Sequence, residues 1–296
     1  MIIKRRSPTG APPFPPMSDN PTGHDPRTAV LFVSHFVTPE TLWNYSQIQR
    51  GIPERYDLYW AYRGNELPFW LSVLPIETFR LTDERLAEWH SAMKGSTLVP
   101  GNTHILTTAF SKRHEYKRYW FIEYDVWFAG NWRRVFRLAQ KSEADLVAAF
   151  VESPIRDESW SHRRTIDLPY SRLARSFNPI RRVSNRVLEQ VFALITNGYW
   201  AHNEALLASI CRNEGWGMDE FNSLAFDHWG RPLYTPAPNA DAPSTLNYRP
   251  VVSSVWGRKE NRLHHPVKPI RWFVEQFGTR RGLVKALKAH PGDDRD

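Results

Sequence analysis

A chain of 296 residues, 41% hydrophobic and 24% charged, can bury a large core without covalent staples, which sets aside the disordered and disulfide-framework classes. Its lone cysteine, Cys211, excludes an internal disulfide and any cysteine-built zinc site. Thirty-nine Lys and Arg against 31 Asp and Glu give a net charge of +8, which favours an anionic partner such as a nucleotide phosphate, nucleic acid or an acidic lipid surface, without choosing among them.

Residues 1–26 carry seven prolines from Pro8 to Pro26 and few apolar groups, which predicts a disordered arm. No apolar run approaches the roughly 18 residues of a membrane helix. The N-terminal Met1-Ile-Ile-Lys-Arg-Arg lacks the apolar stretch of a signal peptide, so a cytoplasmic location is expected. Order begins at Thr28-Ala-Val-Leu-Phe-Val-Ser-His35, a continuous apolar run typical of a parallel strand covered on both faces. A helix opened by Thr38-Pro39 and a strand at Tyr56–Tyr62 complete a βαβ unit. Further along, the pattern predicts a helix over 83–93 capped by Asp83, a strand over 119–125, a helix over 132–141 and a strand over 145–151. The class is therefore α/β, a mixed and mostly parallel sheet flanked by helices in one domain.

Residues 153–182 mix Arg, Ser, Pro and single aromatics without periodicity, which reads as a long functional loop. Ser184 then caps a helix with the stripe Val187, Leu188, Val191 and Phe192, and a helix from Glu204 to Cys211 closes at Gly215. Residues 270–296 are predicted as a basic helix, from Ile270 to Ala289 with Arg280, Arg281, Lys285 and Lys288, followed by a tail. The basic face of that helix leaves two readings open, a solvated surface and a peripheral membrane contact. The sequon Asn44-Tyr-Ser46 is expected by chance in a chain this long.

The sequence contains no P-loop, dinucleotide-binding, nucleophile-elbow or zincin signature. What stands out is Tyr119-Trp-Phe-Ile-Glu123-Tyr124-Asp125. Alternation along this strand points Glu123 and Asp125 the same way at its carboxyl end, where open α/β sheets bind ligands. Two converging carboxylates suit a hard divalent cation; an ordinary solvated strand end has the same pattern.

An apolar strand ending in acid-x-acid resembles the D-x-D motif of GT-A fold glycosyltransferases, here as an E-x-D variant. The Phe-Ile-Glu-Tyr-Asp-Val run followed by Gly130 also resembles an uncharacterised bacterial-type family of GT-A-like proteins. Gly215-Trp216-Gly217-Met218-Asp219-Glu220 resembles the G-W-G-x-E-D stretch of some inverting galactosyltransferases with the acids reversed. Leu263-His264-His265-Pro-Val-Lys268 resembles the late histidine and lysine that such enzymes bring to metal and diphosphate. The resemblance spans about Arg27 to Lys268. It implies a GT-A domain over 27–269, with a nucleotide-binding half at 27–152 and an acceptor half at 153–269.

By that resemblance Asp125, Glu123 and His265, favoured over His264 because Pro266 fixes the chain beside it, would hold Mn2+ or Mg2+, and Lys268 would meet the diphosphate. Glu220 or Asp219 would deprotonate the acceptor, which implies inversion; retention is implied if neither acid faces the acceptor. Ser34, His35, Asp57, Arg63 and Tyr124 are the further candidates for the nucleotide sugar, and Gly198, Trp200, Trp216 and Trp160 for the acceptor. By the same resemblance the segment 156–182, with Trp160 and His162, would be the acceptor loop or lid. The expected partners are a nucleotide-diphosphate sugar and a hydroxyl acceptor (glycan, lipid-linked sugar or protein), with no nucleic acid. The readings kept beside it are a nucleotidyltransferase, for which the glycine-rich, lysine-bearing loop is lacking, and a non-catalytic binder of nucleic acid or anionic membrane.

Overall fold

The computed structural model describes residues 28–99, 101–156, 158–249, 251–253 and 260–277. The predicted proline-rich arm and the basic residues beyond 277 lie outside the described residues. The strands are β1 (Thr28–Ser34), β2 (Tyr56–Arg63), β3 (Thr78–Leu81), β4 (Arg118–Glu123), β5 (Trp127–Phe128), β6 (Leu146–Glu152), β7 (Arg175–Ser184), β8 (Met218–Glu220), β9 (Val252–Ser253), β10 (Leu263–His264) and β11 (Val267–Lys268). The helices are α1 (Pro39–Gly51), α2 (Phe69–Val73), α3 (Asp83–Ala87), α4 (Thr103–Ser111), α5 (Arg133–Gln140), α6 (Asn185–Thr196), α7 (Asn203–Glu214), α8 (Phe221–Trp229) and α9 (Ile270–Phe277). Among the described residues no helix is long and apolar enough to cross a membrane.

Seven strands form one sheet in the order β3-β2-β1-β4-β7-β6-β8. Only β7 runs against the rest, antiparallel to both β4 and β6. Period two divides each central strand between two cores: Ala29 and Leu31 of β1 face one, Val30 and Phe32 the other. The first core is closed by α4, α6 and α7 through Leu106, Leu188 and Leu206, the second by α1, α5 and α8 through Ile48, Phe136 and Phe221. Chain order reverses beside β1, which has β2 on one side and β4 on the other. The carboxyl ends of β1 and β4 therefore flank a topological switch point, the usual ligand crevice of such sheets.

Several elements depart from the sequence pattern. The expected 153–182 loop ends early, because Arg175–Ser184 is a buried central strand. Its apolar signal is masked by Arg181 and Arg182, both almost wholly buried. Arg182 donates to the carbonyls of Ser142 at 2.8 Å and Ala144 at 3.0 Å, and to that of Ala139 at the end of α5. Arg181 lies 3.7 Å over the Phe121 ring and donates to the Asn178 carbonyl at 2.8 Å. Burial pulls the two guanidinium pKa values down, to about 9 for Arg181 and about 10 for Arg182. Helix α4 was hidden by its polar residues, yet Thr103 to Phe110 are all buried. The N-cap of α3 is Thr82 rather than Asp83, its side chain accepting from Arg85 N–H, and that helix stops at Ala87, before the predicted Met93.

Helix α1 begins with a capping box between Thr38 and Thr41 and ends against α5. A Cβ on Gly51 would stand 2.5 Å from Trp132 Cβ and 2.7 Å from the Arg133 backbone nitrogen. Because backbone cannot yield as a flexible side chain does, Gly51→Ala forces the two helices apart. The expected loss is ~1–3 kcal/mol, read as a lower urea midpoint at unchanged denaturant slope.

Candidate active site

Strand β4 ends at Glu123, one acid earlier than the pattern implied. The chain then turns, with Tyr124 N–H donating to the Val33 carbonyl at 2.9 Å and Val126 N–H to the Glu123 carbonyl at 2.9 Å. Asp125 thus projects from a turn, not from strand alternation. A residue that no motif singled out secures this turn: the Asn44 amide of α1, 1% exposed, donates to the Val126 carbonyl at 2.9 Å and the Tyr124 carbonyl at 3.2 Å. The only sequence signal at Asn44 was the chance sequon.

The late His-Lys segment reaches the turn by backbone pairing. Strands β5 and β10 pair antiparallel, Trp127 opposite His264, and Val267 N–H donates to the Asp125 carbonyl at 2.8 Å. Glu123, Asp125 and His265 come together, each offering one ligand atom within 4.8 Å of the others. His265 Nε2 lies 3.6 Å from Glu123 and 3.7 Å from Asp125 Oδ1. His264, opposite Trp127 in β10, is not in this group, since neighbouring residues of an extended segment face opposite ways.

This donor set fits a divalent cation. Nδ1 of His265 is 2.7 Å from the Asn247 carbonyl, which requires a proton on Nδ1 and leaves the Nε2 lone pair toward the acids when the ring is neutral. Asp125 is 3% exposed, and its Oδ1 is a buried oxygen with no hydrogen-bond partner, an unusual state for a carboxylate. Its other oxygen is held by Lys268 Nζ, which also donates to Tyr124 Oη at 2.7 Å. Burial opposes charge at Asp125, but Lys268 and His265 outweigh it and hold the carboxyl below its ordinary range. For His265, burial acts against the imidazolium and is outweighed by Asp125 and Glu123, so its pKa is raised. Ser34 ends β1 and His35 follows it; the His35 ring stands edge-on to Tyr124 at 5.6 Å, and Ser34 Oγ donates to the Phe36 carbonyl at 2.5 Å.

Beside the cluster lies a cavity of about 650 Å³, lined among others by Glu152, Trp160, Arg175, Phe177, Glu220 and Tyr248. Phe177 connects the two, its ring 4.6 Å from Tyr248 and 5.4 Å from His265. Glu220 is the N-cap of α8, accepting from Asn222 N–H at 3.1 Å and Ser223 N–H at 3.3 Å, and it also accepts from Tyr234 Oη. Burial nonetheless raises its pKa, these donors opposing the rise. Asp219 precedes it in β8, faces the other way and accepts from Ser142 Oγ. Only one of the two acids therefore lines the cavity.

Other candidates are placed elsewhere. Asp57 is the second residue of β2, at the amino end of the sheet, accepting from Tyr116 Oη at 2.8 Å. Arg63 is at the carboxyl end of β2 but is ion-paired with Asp83. Trp216 precedes β8 at its amino end, with Arg186 4.7 Å over its ring. Gly198 and Trp200 join α6 to α7; Gly198 takes φ +80°, and Trp200 donates to Asn102 Oδ1 at 2.8 Å and does not line the cavity. Trp160 does line it, 7% exposed, with Arg175 5.1 Å over its ring.

No family model matches the chain, and no curated protein matches it. Among solved structures, mouse xyloside xylosyltransferase 1 in its apo form aligns over 69% of this chain and 90% of its own, at 12% identity and a TM-score of 0.39. A mannosyltransferase from Pyrobaculum calidifontis, in complex with GDP-Man and Mn2+, aligns over 67% of this chain at 10% identity and a TM-score of 0.39, and this chain covers 55% of its length. A putative glucose-1-phosphate thymidylyltransferase from Bacillus anthracis aligns over 66% of this chain and 85% of its own, at 9% identity and a TM-score of 0.41. Likeness at this level leaves the chemistry to be read from the residues of the site.

A cation at His265 Nε2 must displace the proton that the acids hold there. In the metal-free protein the raised pKa keeps that proton bound to a higher pH than for a free histidine. Mn2+ affinity should therefore climb by up to roughly tenfold per pH unit below the folded pKa and level off above it. Calorimetry between pH 6 and 8 checks this, and His265→Gln should weaken binding and flatten the slope.

Proposed function

We propose that this chain is a metal-dependent glycosyltransferase of GT-A type, moving a sugar from a nucleotide-diphosphate donor to an acceptor hydroxyl with inversion. One observation carries the reading: Glu123, Asp125, His265 and Lys268 converge at the switch point of the sheet, beside a cavity lined by Glu220. The order of parts along the chain supports a nucleotide-binding half over 27–152 and an acceptor half over 153–269, since β1 and β4 carry the acid turn and the cavity is built mainly from residues 150–248.

Glu123, Asp125 and His265 would hold Mn2+ or Mg2+, whose chemistry there is to neutralise charge on the diphosphate and make it a better leaving group. Lys268, kept protonated by Asp125 and Tyr124 against its burial, supplies a second positive charge for the departing phosphate oxygens. Tyr124 orients that ammonium, its Oη accepting from it at 2.7 Å and its ring centre 4.6 Å away. Ser34 and His35 lie where β1 opens toward the same crevice and are the donor-side contacts of this reading.

In the transfer, a bond forms between the acceptor oxygen and the anomeric carbon as the bond from that carbon to the diphosphate oxygen breaks. The acceptor proton passes to Glu220. Burial favours this role by raising the basicity of its carboxylate, while Tyr234 and two backbone N–H groups hold it in one orientation. Because Glu220 faces the cavity and Asp219 does not, the base is assigned to Glu220.

A thermal-shift panel of nucleoside diphosphates and nucleotide sugars, each with and without Mn2+, tests the assignment. Stabilisation by a nucleoside diphosphate only with metal is expected. Asp125→Asn should weaken metal binding by at least about 100-fold, more than loss of an outer contact costs; unchanged metal dependence in this variant would sink the reading. Glu220→Gln should lower kcat by ~10²–10⁴-fold while the metal-dependent stabilisation stays as in the wild type. A variant that lost both would show Glu220 to be structural.

A further inference from the structure

The wall of the cavity nearest the acid–histidine cluster contains an acid outside every motif. Glu204, in the first turn of α7, is 7% exposed and accepts a hydrogen bond from Tyr248 Oη. Both line the cavity, and Tyr248 is one aromatic ring, Phe177, away from His265. Burial pushes the Glu204 carboxyl up to about 8. At neutral pH it keeps its proton and serves as donor and acceptor at once.

The remaining charges of the lining nearly balance by sign. Arg175 pairs with Glu152 at 2.5 Å, Glu220 is held by Tyr234 and two amides, and Arg156 and Asp241 are of opposite sign. With Glu204 neutral, the charged side chains of the lining are Arg156 and Arg175 against Glu152, Glu220 and Asp241, one net negative charge, which disfavours a phosphate or carboxylate. Phe226, also in the lining, is 49% exposed and presents the apolar ring surface on which a sugar face packs.

We infer that this cavity takes an uncharged polyhydroxylated ring, a neutral sugar unit, with Phe226 as its stacking face and Glu204 with Tyr248 as its hydrogen-bonding edge. The sugar's part in a transfer rests on the glycosyltransferase reading; its binding does not.

Ligand-observed NMR on the full chain tests it, with methyl glycosides of glucose, galactose, mannose, xylose and N-acetylglucosamine against glucuronic acid and glucose 6-phosphate. At least one neutral glycoside should bind, and more tightly than either anion. Phe226→Ala, at an exposed position, should weaken it about fivefold. Glu204→Gln should bind within about twofold of wild type, and Glu204→Leu about tenfold more weakly. Tighter binding of an anion, no binding of any neutral glycoside, or no effect of Phe226→Ala and Glu204→Leu would overturn the inference. Mn2+-dependent stabilisation by a nucleoside diphosphate, measured on the same samples, separates the two readings. If it persists without sugar binding, only this inference falls; if sugar binds without it, only the transferase reading falls.

Discussion

The hydrogen bond from Val267 N–H to the Asp125 carbonyl, 2.8 Å long, joins the two segments from which the candidate site is made. With the antiparallel pairing of Trp127 and Phe128 to His264 and Leu263, it fixes the register of a late segment against an early turn. A one-residue slip would exchange the faces of His264 and His265 and remove the imidazole from Glu123 and Asp125. Asn44 secures the other side of the turn from α1, so helix, strand end and late segment position one carboxylate together.

Such positioning is needed because the carboxylate is buried. Asp125 is taken out of water and matched by Lys268 on one oxygen, with the other left facing His265. Breaking a buried pair from one side leaves an uncompensated charge, which is strongly destabilising. In the second core layer Arg182 is instead solvated by the carbonyl oxygens of Ala139, Ser142 and Ala144, at and just beyond the end of α5, with no acid beside it among its hydrogen-bond partners. At Glu204 the solution is different: Tyr248 is its partner, His202 at 3.9 Å is held neutral by burial, and burial keeps the proton on the carboxyl.

Charged residues at buried positions are also where sequence pattern and structure part company. The apolar runs at Thr28–Ser34, Tyr56–Arg63, Arg118–Glu123 and Leu146–Glu152 were legible as strands because each buries both faces. Strand β7 was not, since Arg181, Arg182 and Pro179 read as loop residues until their internal partners are known. The threonine-rich α4 was missed for the same reason. Among the site candidates, the acid turn and the late His-Lys pair stood out by residue type, whereas no local pattern tied Asn44, Glu204, Tyr234, Tyr248 or Phe226 to the site.

Composition and periodicity determined the α/β class, the chain order of the central strands and the short set of acids, histidines and lysine available for chemistry. These are local properties, set by side-chain period along one element. Tertiary structure decided that His265, which the sequence only favoured, joins Glu123 and Asp125, that Glu220 rather than Asp219 lines the cavity, and that Asp57 and Trp216 stand at the opposite end of the sheet. Each of those outcomes turns on which way a residue faces once strands are paired. Pairing depends on partners distant in sequence, so no local pattern contains it.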